Sequence, residues 1–188
     1  MINTPDRGAL MCDFMTDALN RLRQSDKISL AYIHGPALGG GAEVATSCDF
    51  RLMSVAATSA IGFVHARVGA SPGWGGANRL AAIVGRSQAI RLLGTSLLST
   101  PERCMAIGLA DALSLADHES DDVGGKRPWQ PMLEPYLKQK YPNSIKTMKG
   151  LIAGLMDHDD VAARSLERSA FMSRWGSDDN LAAFKDKK

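Results

Sequence analysis

Three consecutive glycines, Gly39-Gly40-Gly41, stand between an apolar run at residues 28–33 and the segment Ala42-Glu43-Val44-Ala45-Thr46-Ser47. That order dictates a strand, a bare backbone turn and a helix start. Glycine lacks a Cβ, so another molecule can approach the backbone closely there. The first N–H groups of a helix have no partner inside it, and the helix dipole adds partial positive charge at the same place. Such a turn can hold a phosphate, or an oxygen that gains charge during a reaction.

The phosphate use fits poorly. A P-loop follows its turn with Gly-Lys-Ser/Thr, whereas Gly41 is followed by Ala42-Glu43. The spacing also misses the Gly-x-Gly-x-x-Gly dinucleotide pattern, and a carboxylate at Glu43 would repel a phosphate. An oxyanion hole is the better functional reading. A purely architectural use, tight helix–strand packing with Glu43 as a helix N-terminal acid, fits the same residues.

The rest of the 188-residue chain bounds the fold around this turn. Residues 8–23 have helical spacing, with Leu10, Phe14, Leu19 and Leu22 near one face. Residues 28–33 and 49–53 read as strands, and 57–63 as a small apolar segment. The breaker-rich stretch Ser71-Pro72-Gly73-Trp74-Gly75-Gly76 reads as a loop. Helices are predicted over 77–84, 87–93 and 101–107, the last opened by Thr100-Pro101-Glu102. Residues 109–115 read as a further strand, 117–129 as a polar loop, and 131–140, 144–156, 160–173 and 180–185 as helices. The expectation is an α/β fold, with residues 1–125 as core and 126–188 as a helical region.

Hydrophobic residues make up 45% of the chain, enough for a packed core. A net charge of +2 gives no electrostatic case for nucleic acid or an anionic membrane. The charge-free stretch 28–42 is too short to cross a bilayer. Cys12, Cys48 and Cys104 lack metal or disulfide spacing, which suggests a reducing compartment, the cytosol. Asp117-His118-Glu119 with Asp121-Asp122, and Asp157-His158-Asp159-Asp160, read as solvated loop and helix junction rather than metal sites. No metal is expected.

Two longer stretches carry a family resemblance. Gly35-Pro36-Ala37-Leu38-Gly39-Gly40-Gly41-Ala42-Glu43, followed by Cys48-Asp49-Phe50-Arg51, resembles the crotonase (enoyl-CoA hydratase/isomerase) family. So does Gly69-Ala70-Ser71-Pro72-Gly73-Trp74-Gly75-Gly76-Ala77-Asn78-Arg79-Leu80. The match runs in order from about residue 29 to 109.

The resemblance implies a ββα spiral core with C-terminal helices, an acyl-CoA thioester as substrate, no separate cofactor, and assembly as a homotrimer or hexamer. It makes the Gly40 amide one of two N–H donors to the thioester carbonyl; losing one donor in comparable holes costs roughly 2.7–4 kcal/mol. Family members extend further at the N-terminus, where the other donor lies in a Gly-x-Asp-Leu-type loop. This chain is therefore expected to be incomplete there, with 28–33 becoming an exposed sheet edge.

Hydratases of this family carry two glutamates. Glu43 matches the first, and His65 stands at the second position. Phe50-Arg51-Leu52-Met53, Phe63-Val64-His65, Pro72-Gly73-Trp74-Gly75-Gly76, Arg174-Trp175-Gly176 and Asn180-Leu181 resemble the family's decarboxylating branch. That branch acts on ethylmalonyl-CoA, and more weakly methylmalonyl-CoA, as metabolite proofreading. The roles this implies are Gly40 at the enolate oxygen, His65 orienting the carboxylate or delivering the proton, and Glu43 orienting water or substrate. A free imidazole titrates near neutral pH, which suits His65 to this work. Leu38, Gly39, Pro72, Trp74 and Gly75 are the expected acyl-binding residues, and Lys185 the expected contact to CoA phosphate. His65 as a hydrogen-bonded wall residue, Trp74 as plain packing and Lys185 as part of a solvated tail fit the same positions. A hydratase/isomerase, or a catalytically inactive crotonase-like subunit, are the alternative functions.

Overall fold

The computed structural model describes residues 5–116, 124–155, 160–174 and 177–185. The acidic tracts at 117–122 and 157–159, and Trp175-Gly176, lie outside them. The described residues fall into two compact units: those up to Arg23 with Ser29–Leu133, and Gln24–Ile28 with those from Glu134 onward.

The first unit opens with α1 (Pro5–Gln24) and then alternates strand and helix. In chain order come β1 (Leu30–Ile33), β2 (Pro36–Leu38), α2 (Gly40–Ala45), β3 (Phe50–Ser54) and β4 (Ala60–Gly62). A 3₁₀ turn (Val64–Val68) leads to α3 (Gly76–Val84), α4 (Arg86–Thr95), β5 (Leu98–Ser99), α5 (Pro101–Ala106) and β6 (Ala112–Ser114). The strands make two three-stranded sheets, ordered β1-β3-β6 and β2-β4-β5. The first is wholly parallel, with Leu30 opposite Phe50 and Leu52 opposite Ala112. In the second, β2 runs parallel to β4, and β5 antiparallel to it. The α/β architecture expected from the sequence is the one observed.

β3 is the central strand of the first sheet, and four of its five residues are buried. Burial on both faces suits its parallel neighbours. Arg51 lies inside this strand, 5% exposed. Its charge is matched by Asp111 at 2.6 Å, and its Nε and Nη1 donate to the carbonyls of Leu109 and Cys48. Ser29 and Asp49 pin β1 to β3 through Asp49 Oδ2, which accepts from the Ser29 N–H at 2.6 Å and its hydroxyl at 2.8 Å. The polar residues of the Cys48–Arg51 run thus tie strands together. Ile33, Met53, Ile61, Phe63, Leu80, Leu92 and Leu109 form the apolar core around them.

β1 and β2 are the outer strands of their sheets. The predicted edge at 28–33 is therefore found, shortened to Leu30–Ile33. β2 is a departure from the sequence analysis, which places no strand between residue 33 and the glycine turn. Pro36 sits at the start of an outer strand, where its missing N–H is tolerated.

α5 begins as the sequence predicts. Thr100 caps it by accepting from the Arg103 N–H, and Pro101 occupies the first turn. Its Cys104 is fully buried, and burial pushes the thiol up to about 12. Only thiolates alkylate readily. In the native chain at pH 8, iodoacetamide should label Cys12 and Cys48, both partly exposed, and spare Cys104 until denaturant is added. Peptide mass spectrometry checks this, and native labelling of Cys104 at the rate of Cys12 would contradict it.

The second unit is helical: the end of α6 (Gln130–Leu137), then α7 (Pro142–Leu155), α8 (Asp160–Arg174) and α9 (Asp178–Lys185). α7 and α8 approach closely at Gly154, where a Cβ would lie 2.5 Å from Leu166 Cδ2. Buried Lys149 donates to the Lys27 carbonyl, and Lys146 pairs with Asp26 at 3.2 Å. No helix among the described residues is long and apolar enough to cross a membrane.

Candidate active site around the glycine turn

The glycine turn folds as strand, turn and helix, with one shift from the expected boundary. α2 starts at Gly40 rather than at Ala42. Gly39 is its N-cap at φ 53°, ψ −117°, a conformation that favours glycine. The Gly39 N–H donates to the Gly62 carbonyl at 2.8 Å, tying the turn to β4. The Gly39 carbonyl accepts from the Glu43 N–H at 3.1 Å and so opens the helix. Gly40 is the first helical residue, so its N–H has no partner within α2. A Cβ on Gly40 would lie 2.3 and 2.4 Å from Cζ3 and Cη2 of Trp74. The indole therefore packs directly on the turn.

Glu43 follows one turn later on the same face of α2 and is 1% exposed. Its Oε2 accepts from the N–H groups of Trp74 at 2.8 Å and Gly76 at 2.9 Å. Its Oε1 accepts from the Gly73 N–H at 3.3 Å and lies 3.2 Å from His65 Nε2. The carboxylate thus fastens the 73–76 loop and caps the N-terminus of α3, where negative charge is favourable. His65 comes from the 3₁₀ turn, its Nε2 4.0 Å from where a Cβ on Gly39 would stand. Its Nδ1 is buried and has no hydrogen-bond partner among the described residues.

Arg79 is a participant that the sequence reading gave no role. It is 4% exposed, and its Nη2 donates to the carbonyls of Glu43 at 3.1 Å and Trp74 at 2.8 Å. Burial pulls its guanidinium down from the ordinary value, and the Glu43 charge opposes that pull. Gly75 lies beside it at φ 79°, where a Cβ would stand 2.7 Å from Arg79 Nη1. The available sequence signal was a cation next to core Leu80 just after two glycines. Cys12 on α1 is a second unassigned contact, its thiol donating to the Gly73 carbonyl.

The structure thus brings Gly39, Gly40, Glu43, His65, Trp74 and Gly75 together. Pro72 is half-buried in the same loop. Leu38 ends β2 next to Gly39, but its side chain packs over Gly62 beside Leu98. Lys185 ends α9, and its side chain lies outside the described residues. The opposite face of α2 differs in character. Gly41, Val44 and Ala45 line an open cleft with residues 31–37.

With this geometry in hand, the chain matches the enoyl-CoA hydratase/isomerase family profile over residues 4–187. It is 40% identical over 182 residues to the ethylmalonyl-CoA decarboxylase of Xenopus tropicalis, covering 97% of this chain and 58% of that protein. The chain therefore spans less than two thirds of this curated relative. Its fold is similar to a crystal structure of enoyl-CoA hydratase from Thermoplasma volcanium GSS1, at a TM-score of 0.81 and 24% identity, covering 99% of this chain and 70% of that one. It is also similar to a putative enoyl-CoA hydratase from Thermobifida fusca YX in complex with acetoacetyl-CoA, at a TM-score of 0.73 and 24% identity, covering 89% and 64%.

Proposed function

The chain belongs to the enoyl-CoA hydratase/isomerase family, and from that premise we propose that it serves decarboxylation of an alkylmalonyl-CoA thioester, ethylmalonyl-CoA first. The observation that carries this reading is the Glu43–His65 pair, 3.2 Å apart beside the glycine turn. An imidazole stands where a hydratase working with two carboxylates has its second acid. The 40% identity to a protein named ethylmalonyl-CoA decarboxylase supports the same choice.

The chemistry follows from the residues. The Gly40 N–H donates to the thioester carbonyl oxygen and stabilises it as it becomes an enolate oxygen. The bond from Cα to the carboxylate breaks, its electron pair enters the enolate, and CO₂ leaves. His65 in its protonated form then gives a proton to Cα and becomes neutral, yielding the acyl-CoA. Trp74 walls the acyl group and excludes water. No metal or organic cofactor is called for, since the thioester itself takes up the electron pair. In this reading the protein works in the cytosol as a trimer or pair of trimers, and it clears a wrongly carboxylated metabolite from fatty acid metabolism. Lys185 contributes to CoA phosphate binding.

The test is CO₂ release from carboxyl-labelled ethylmalonyl-CoA by the purified chain, against hydration of crotonyl-CoA. Release should exceed hydration, and His65→Ala should lower it by about 10²–10⁴-fold, the range for a lost general acid. Undiminished release by the variant would remove His65 from the mechanism. A second reading, an interaction subunit without turnover, is favoured by the outer positions of β1 and β2 in the two sheets. A folded chain that releases no CO₂ would support that reading instead.

A further inference from the structure

We infer that Glu43 is a positioning residue rather than an acid or base, and that it fixes His65 as the Nε2–H tautomer, with Nδ1 bare in the neutral ring. Only the kinetic part of the test rests on the decarboxylase reading.

The argument is one of hydrogen-bonding capacity. A carboxylate offers about four lone-pair sites, two on each oxygen. At Glu43 all four are occupied: His65 and Gly73 on Oε1, Trp74 and Gly76 on Oε2. Three of these partners are backbone N–H groups, which can only donate. The carboxylate is therefore an acceptor throughout, and the fourth partner, His65 Nε2, must carry a hydrogen. With 1% exposure, Glu43 has neither a free lone pair nor access to solvent for holding a water. Its carbonyl is also held, by Arg79. Both ends of the residue serve to fix the 73–76 loop and the imidazole.

The other imidazole nitrogen is in the complementary condition. Nδ1 is buried and partnerless among the described residues. A buried N–H without an acceptor is unfavourable, so the neutral ring leaves Nδ1 bare.

The experiment is nitrogen NMR on the ¹⁵N-histidine-labelled full chain at alkaline pH, with His65→Asn for assignment. The expected spectrum shows His65 Nδ1 unprotonated and Nε2 coupled to one hydrogen. An Nδ1–H tautomer, or an even mixture, would overturn the assignment without any activity being measured. Glu43→Gln keeps the volume but sets an NH₂ against backbone donors. It should mix the two tautomers and lower kcat by about 10²-fold, as expected for misplaced groups, with KM within a few-fold and the pH–rate limb retained. Loss of that limb would make Glu43 the proton carrier and refute the positioning role. If Glu43→Gln does not fold, the wild-type spectrum alone decides. The Nε2–H tautomer in a chain that releases no CO₂ would sink the decarboxylase reading and leave the tautomer assignment standing.

Discussion

Gly40→Ala should lose CO₂ release by about 10²–10³-fold, the loss typical of one oxyanion donor, while the chain stays folded. The reason is steric before it is electrostatic. The new methyl would stand 2.3 Å from Trp74 Cζ3, far inside contact distance. The indole is only half-buried and sits in a loop, so it can swing out. Moving it opens the acyl pocket to water, and rotating the first residue of α2 misaims the Gly40 N–H. Gly94→Ala is the control. That glycine is exposed on α4, and a Cβ there meets nothing within 4 Å. Alanine in an open helical position should stabilise the chain by about 0.5–1 kcal/mol. Steady-state assays beside thermal unfolding of both variants separate the two effects. Full activity in Gly40→Ala would remove the turn from the mechanism.

Glu43→Ala should be the most destabilising substitution at this site, by about 3–5 kcal/mol, the range for stripping one partner from a buried charged network. It would orphan three backbone N–H groups and the His65 Nε2–H, each worth about 1–3 kcal/mol when buried and unmade. Water entering the space would recover part of the sum. The side chain also fits tightly, since a Cβ on Gly76 would lie 2.4 Å from Glu43 Cγ. For a chain of this size the midpoint of thermal unfolding should fall by roughly 10 °C. Asp17→Ala provides the comparison: it breaks an ion pair with Arg21 at 2.7 Å whose side chains are 62% and 79% exposed. Exposed pairs of this kind contribute about 0.2–1 kcal/mol. Equal losses in the two variants would show that the Glu43 carboxylate does not hold the loop.

Much of the fold was legible because its signals are local. The apolar runs of β1 and β3 and the helical spacing of α1, α3, α4, α7 and α8 each lie within a few residues. The cap Thr100-Pro101-Glu102 placed the start of α5 correctly for the same reason. The start of α2 was read two residues late, because Gly39 caps it without a side-chain hydrogen bond and leaves no Ser, Thr, Asp or Asn to mark the boundary. β2 was hidden by Gly35-Pro36, residues that signal turns in most settings. β5 has two residues and no periodicity to detect.

The site divides along the same line. By itself the sequence determined where the backbone must be bare. A triple glycine and a Gly-Trp-Gly-Gly loop restrict backbone and side-chain size at each position, and those are local properties. It also placed a carboxylate and an imidazole at Glu43 and His65. What each of these does was decided only by tertiary structure. Glu43 meets its four donors across 22 to 33 residues of chain. Whether a carboxylate can act as an acid, hold a water or only anchor a loop depends on how many of its lone pairs are already taken. No spacing in the chain records that number, because three of the four donors are backbone groups that every residue except proline possesses.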